Sequence, residues 1–415
     1  MSDVLKAANQ ALSRRYPGDS TGRQPVHTFI GSGDAFTRDA SRRAGAQALE
    51  ALEQFGPTAR AFADVIGLTS TDASLAETVR QRVVDKLRRE PVEDFRIDFE
   101  DGYGTRPDAE EDGHARSAAE EVAAGMKAST LPPFIGIRIK PLSRELHARS
   151  LRTLDLFVST LVRRARRLPG NFAVTLTKIM APAHVGAAVR ACAALERKLR
   201  LKRGAIRLEL MIETPQAILA PDGSCALPGL VRAGAGRVRG AHFGVYDYTA
   251  LCGITAAWQH PRHFACDFAR EMMRVSLAQT GVVISDGGSN LLPLPPHVHE
   301  AWKLHFADVT HSLVNGFYQG WDLHPAHLPT RYAAVYAFYL SALPAATRRL
   351  RGFFGKAEQA GAAFDDAATG QALLNFMNRA LSSGAITVEE ALASGLRHSE
   401  LGGRSFRQIL SRRQG

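Results

Sequence analysis

Cysteine is scarce in this sequence: Cys192, Cys225, Cys252 and Cys266 are the four in 415 residues. None sits in the close pairing of a metal motif, and four in so long a chain do not make a disulfide scaffold. They read as reduced thiols. No run of about 18 apolar residues occurs, so no membrane span is expected. Residues 1–25 carry Lys6, Arg14 and Arg15 but no apolar stretch with a small-residue cleavage site. The expectation is a cytoplasmic protein with no membrane partner. Aromatic residues make up only 7% of the chain. None interleaves the basic clusters Arg163, Arg164, Arg166, Arg167 and Arg197, Lys198, Arg200, Lys202, Arg203, as a base-stacking platform would require. Each cluster closes a predicted helix, where cations complement the macrodipole. The net charge of +11 therefore points to a small acidic metabolite and away from nucleic acid.

What is present is a repeating pattern. Six short apolar segments each end in a polar cluster. They are Arg96-Ile97-Asp98-Phe99-Glu100-Asp101-Gly102, Ile137-Arg138-Ile139-Lys140, Leu176-Thr177-Lys178, Leu210-Met211-Ile212-Glu213-Thr214-Pro215, Phe243-Gly244-Val245-Tyr246-Asp247 and Trp321-Asp322-Leu323-His324-Pro325. Buried parallel strands read as apolar runs. With Val26–Ile30 and Val282–Asp286 added, eight strands alternate with helical segments. The predicted strands are 26–30, 95–100, 134–140, 172–179, 206–213, 241–246, 282–286 and 316–323. Helices are expected over 34–55, 70–90, 108–128, 150–167, 183–200, 260–280 and 298–314. This predicts an α/β chain, a (β/α)8 TIM barrel over 26–330, after a lead-in helix in 1–25. Residues 331–415 read as a C-terminal helical extension, broken at Gly352, Gly355, Gly384 and Gly395. Its apolar face must be buried on its own barrel or on a neighbouring subunit.

Chemistry in such a barrel sits at the carboxyl ends of the strands. Glu213 and Asp247 end consecutive predicted strands, and neighbouring strands lie about 4.8 Å apart. Two carboxylates so placed can share a divalent ion such as Mg²⁺ or Mn²⁺, or each can cap the following helix. Glu100 and Asp101 form a second acidic step, of which one could hydrogen-bond metal-bound water or act as a base, or which could be a surface turn before Gly102. Arg138 lies inside an apolar strand. It is suited to a substrate carboxylate or enolate, or to an ion pair with Glu100 or Glu213. Lys178 is read as a packing or electrostatic residue in preference to a Schiff base. His297 and His299 lack a third zinc ligand. Gly31-Ser32-Gly33 lacks the third glycine of a dinucleotide loop, and Gly352-Phe353-Phe354-Gly355-Lys356 has the wrong spacing for a phosphate loop.

In order, these strand ends resemble the HpcH/HpaI aldolase and citrate lyase beta-subunit family over about residues 26–330. Asp98-Phe99-Glu100-Asp101 matches its Asp-Leu-Glu-Asp, and Arg138-Ile139-Lys140 its Arg-Val-Asn. Thr177-Lys178-Ile179 is similar to Pro-Lys-Val, Ile212-Glu213-Thr214 to Ile-Glu-Thr, and Phe243 to Asp247 to Phe-Gly-x-x-Asp. Gly316-Phe317 through Leu323-His324-Pro325 resembles the last-strand pattern. The resemblance implies a Mg²⁺-dependent carbon–carbon lyase acting beside the carbonyl of a small oxo- or hydroxy-acid or its coenzyme A thioester. It implies Glu213 and Asp247 as metal ligands, Arg138, Glu100 and Asp101 as catalytic residues, and Arg138, Gly244, Thr214 and Pro215 at the substrate. It also implies a homo-oligomer, a trimer or hexamer, with the tail near a neighbour's site. Coenzyme A-using relatives begin with Arg-Ser-x-Leu-Phe-Val-Pro-Gly, where this chain has Val26-His27-Thr28-Phe29-Ile30-Gly31. They also carry Met-Ile-Asp-x-Pro near the C-terminus, of which Phe364-Asp365-Asp366 is a loose echo. Insertions near 57–90 and 215–239 mark a divergent branch. Two other readings remain: phosphoenolpyruvate or phosphoryl chemistry on a related metal barrel, and a non-catalytic metabolite-binding subunit.

Overall fold

A computed structural model describes residues 2–18, 22–68, 73–360, 367–403 and 405–414. Phe364-Asp365-Asp366 lies outside the described residues. Eight parallel strands form one sheet: β1 (His27–Ser32), β2 (Asp94–Asp98), β3 (Phe134–Arg138), β4 (Phe172–Leu176), β5 (Arg207–Ile212), β6 (Val238–Phe243), β7 (Val283–Ser285) and β8 (Gly320–Asp322). Their order is β7-β6-β5-β4-β3-β2-β1-β8. Past the ends of the paired strands, Asp286 N–H donates to Gln319 O at 2.8 Å and Trp321 N–H to Gly287 O at 3.3 Å, which draws β7 and β8 together. The chain is thus a nearly closed (β/α)8 barrel with C-terminal helices, as the strand pattern predicts. Among the described residues no helix is long and apolar enough to cross a membrane.

Strand alternation decides what faces the interior. Successive side chains of a strand point to opposite faces. On β2, Phe95 and Ile97 turn outward to the helices, while Asp94, Arg96 and Asp98 share the inner face. On β5 the inner set is Glu209, Met211 and then Glu213. The lower interior is therefore charged. Buried Arg96 spans Asp94 Oδ2 at 2.7 Å and Glu209 Oε2 at 2.8 Å. Gly136 is what lets that guanidinium cross to β5: a Cβ there would stand 1.9 Å from Arg96 Nη1. The apolar core lies between sheet and helices, as with Ile137, Phe157, Leu208 and Cys266, all fully buried.

The helices differ from expectation in three places. Ala59–Ile66 is an additional helix inside the first insertion, and Pro215–Ile218 and Leu227–Ala233 are short helices inside the second. The helix Leu328–Ala360 runs through Gly352 and Gly355 without a break, so neither glycine ends a helix. It also crosses the expected 330/331 division, burying Tyr332 and Tyr336. The tail covers its own chain at the amino-terminal end of the barrel. There the Arg379 guanidinium lies 3.9 Å from the ring centre of Tyr318, just before β8, and Arg82 pairs with Glu390 at 2.7 Å.

Candidate active site

The carboxyl ends of the strands surround a cavity of about 650 Å³. Asp98 and Arg138 are in-register partners on β2 and β3, so both side chains rise on the inner face side by side. Arg138 Nε and Nη2 each donate to one Asp98 oxygen at 2.7 Å. Asp98 is thus the main ion-pair partner of Arg138, and Glu100, considered from sequence, is a second and longer one. The Asp98 oxygens also accept the Glu100 N–H at 3.0 Å and the Gly102 N–H at 2.7 Å. This ends β2, with Asp101 on the cavity wall and Glu100 buried beside Arg138 and Lys178. Arg138 Nη1 lies 3.5 Å from Glu100 Oε2 and is not engaged by Asp98. Sequence reasoning missed Asp98; its signal is the inward alternation Asp94, Arg96, Asp98.

Lys178 follows β4 with φ of +47°, a left-handed backbone that is uncommon for a residue with a Cβ. Its ammonium bonds Glu100 Oε1 and Asp101 Oδ2, the latter at 2.9 Å, and lies 3.6 Å from Asp247 Oδ2. Its N–H donates to Glu213 Oε1 at 2.6 Å. One lysine therefore touches all four predicted acidic site residues, the electrostatic side of the packing or electrostatic role expected for it. Burial would lower the lysine's pKa, but Glu100 beside it outweighs this and the ammonium is held more firmly than usual.

Glu213 is buried, and burial pushes its carboxyl up to about 8, with Asp247 and Glu100 adding to the rise against the pull of Lys178. Glu100 is also raised, mainly by burial. Burial would raise Asp101 too, but hydrogen bonds led by Lys178 hold it below the usual range. Gly244 lines the cavity beneath Glu213: a Cβ there would meet Glu213 Cβ at 2.4 Å and Oε2 at 2.7 Å. Asp247 is not at a strand end. β6 stops at Phe243, and Asp247 lies in the first turn of the helix Val245–Leu251, on the cavity wall. Thr214 caps the helix Pro215–Ile218 through Ala217 N–H and gives its hydroxyl to Ile179 O at 2.6 Å. Neither Thr214 nor Pro215 lines the cavity. His324 Nδ1 accepts the Ala326 N–H at 3.2 Å. His297 and His299 bond Glu300 and the Phe55 carbonyl at the surface.

Among the described residues no three His, Cys, Asp or Glu side chains converge as a ready metal cage. Mg²⁺ does not need one, since it keeps several waters and takes one or two carboxylates. Glu213 and Asp247 fit that demand as oxygen donors on an open cavity. The high pKa of Glu213 marks a buried carboxyl short of positive charge.

Fold and site together define a (β/α)8 barrel with an acidic cluster at its carboxyl mouth. The chain belongs to the family described as a domain of unknown function, DUF6986, whose model matches residues 5–409. No curated protein matches the chain. Among solved structures, a citrate lyase from Burkholderia xenovorans is 19% identical, with 78% of this chain and 92% of that one covered and a TM-score of 0.54. A malate synthase of Haloferax volcanii, in complex with magnesium and glyoxylate, is 14% identical, with 74% of each chain covered and a TM-score of 0.49. At these identities the citrate lyase shows the shared barrel fold.

Proposed function

We propose that the protein is a Mg²⁺-dependent carbon–carbon lyase. It would cleave or form the bond next to the carbonyl of a small oxo- or hydroxy-acid, free or as its coenzyme A thioester. The observation that carries this reading is the convergence of Glu100, Asp101, Glu213 and Asp247 on Lys178, with Arg138 alongside, at the mouth of one cavity. Glu213 and Asp247 would hold Mg²⁺ or Mn²⁺. When bound, the ion supplies Lewis-acid stabilisation of negative charge that develops on the carbonyl oxygen. Arg138, braced by Asp98, offers Nη1 to a substrate carboxylate through a charge-assisted hydrogen bond. Glu100, with its raised carboxyl, holds or releases the proton at the reacting carbon or its oxygen. Lys178 keeps Glu100 and Asp101 oriented.

The protein is further proposed to act as a homo-oligomer. Phe264, Phe268 and Val275 lie along one face of the helix Phe264–Leu277 and remain exposed, as does Trp258 nearby. Such apolar patches mark interaction surfaces.

The test is proton exchange at the carbon beside the carbonyl. The purified protein with Mg²⁺ is incubated in D₂O with a panel of 2-oxo acids and acyl thioesters and followed by NMR. Deuterium should enter that carbon for at least one compound and stop when EDTA is added. No exchange and no bond cleavage across the panel, with the ion shown to be bound by calorimetry, would reject the lyase reading.

A further inference from the structure

The cavity wall is divided by strand order. The charged lining stands on an arc from β2 to β6: Asp101, Arg138, Glu213 and Asp247 line the cavity, with Glu100 and Lys178 in contact with them, and Met211, Phe243 and Val245 add apolar surface on the same side. The remaining arc, β7-β8-β1, is contiguous in the sheet and presents Leu292, Trp321, Leu323 and Ile30 to the same cavity. Two polar residues interrupt it. The Ser32 hydroxyl donates to Asp34 at 2.5 Å, and Asn290 is exposed at the rim. Leu323 is 38% exposed, and Ile30 and Leu292 are half-buried, so apolar surface is left facing the opening.

Trp321 joins the two arcs. Its indole N–H donates to His242 Nδ1 at 3.1 Å, which fixes the ring, and the Arg138 guanidinium carbon lies 5.6 Å from the ring centre. A carboxylate on Arg138 thus has an aromatic wall beside it. The volume points the same way. About 650 Å³ is the size of cavities that enclose molecules much larger than a three-carbon acid. It would hold roughly twenty waters at about 30 Å³ each.

We infer that the acid used here carries a branched aliphatic or aromatic substituent, which lies on the β7-β8-β1 arc while its carboxylate meets Arg138. This rests on the lyase reading above and names its substrate class. Apolar burial at about 25 cal/mol per Å² gives about fourfold in kcat/KM for each methylene that fully enters.

The experiment compares 2-oxopropanoate, 4-methyl-2-oxopentanoate and 3-phenyl-2-oxopropanoate with the Mg²⁺-supplemented full chain, scored by deuterium exchange. The branched acid should exceed 2-oxopropanoate by up to about sixtyfold in kcat/KM, since it adds three carbons. Leu292→Asn and Leu323→Ser, both at the open rim, should each cut that ratio severalfold. A flat or falling series, with 2-oxopropanoate still exchanging, would overturn this inference and leave the lyase reading standing. A flat series together with faster exchange of acetyl-coenzyme A would also overturn it, by giving the apolar arc to the thioester arm. Neither exchange nor bond cleavage for any of these compounds or the wider panel, with the ion shown to be bound, would remove the lyase reading, and this inference with it.

Discussion

Replacing Glu213 by Gln tests whether the mouth is built around a missing positive charge. The buried carboxyl is pushed from 4.5 up to about 8, by burial first and then by Asp247 and Glu100. That gap, at about 1.4 kcal/mol per unit, makes the ionised side chain cost at most about 5 kcal/mol relative to the unfolded chain. Because the folded pKa is raised, the stability tied to the protonated form is complete below about 4.5 and lost as pH rises through about 8. Gln has no such loss. Its carbonyl can still accept the Lys178 N–H, while its amide protons over Gly244 need partners, at a cost on the order of 1 kcal/mol. Urea titrations in EDTA should therefore find Glu213→Gln more stable than the parent by about 2–4 kcal/mol at pH 8.5, with the gap closing near pH 4.5. Mg²⁺ at a hundred times its Kd should add about 2.7 kcal/mol to the parent and nothing to the variant. Equal stability at pH 8.5 in EDTA would refute the claim of an uncompensated carboxyl. An equal Mg²⁺ gain in both proteins would refute the ligand role.

Arg138→Lys keeps the charge but loses the fork on Asp98, so kcat/KM should fall by about two orders of magnitude, or about 2.7 kcal/mol; steady-state kinetics like the parent's would disprove the role. His327 is buried and burial pushes its pKa down to about 3, so its contribution is intact above about 6.5 and is lost as pH falls toward 3, by at most about 5 kcal/mol. His327→Gln should flatten the acid limb of stability followed by circular dichroism, and an unchanged limb would count against this. Deleting residues 367–414 removes the buried Leu374, Met377 and Phe406, worth about 1.5–3 kcal/mol each, from the end of the barrel opposite the site. The denaturation midpoint should fall with kcat nearly kept; a changed kcat at an unchanged midpoint would instead place the tail at a neighbour's site.

The strands were legible because the outward residues of a parallel barrel are apolar and the turns after them are polar. The interior was not. Arg96 reads as an interruption in sequence, yet it is the centre of a buried network with Asp94 and Glu209. The pairing of Arg138 with Asp98 depends on the β2–β3 register, which a sequence separation of 40 does not reveal. Asp247 was read as a strand end because Phe243 through Tyr246 is apolar, but the chain turns into a helix at Gly244. Gly352 and Gly355 were read as breaks. A glycine inside a helix costs only about 1 kcal/mol, and the packing of Leu350 and Phe354, both buried, holds the helix through them. The acidic site residues were legible as a set. Their common partner, Lys178, was seen but not its reach.

That partner explains the electrostatics of the mouth. Asp98 and Arg138 satisfy one another. Four carboxylates then share Lys178, three of them at its ammonium and Glu213 at its backbone N–H, a balance of −4 and +1 if all are ionised. The surplus is uneven. Asp101 is held low by Lys178 and half in solvent, while Glu213, sealed over Gly244, keeps its proton to about pH 8. A divalent charge beside Glu213 and Asp247 would bring the balance to −1, and ionisation of Glu213 would no longer oppose burial. The same addition would weaken the hold of these carboxylates on Lys178, whose left-handed backbone is already tied to Glu213 through its N–H. Metal affinity and lysine position would therefore be coupled through Glu213, the residue that touches the Lys178 backbone and would hold the ion.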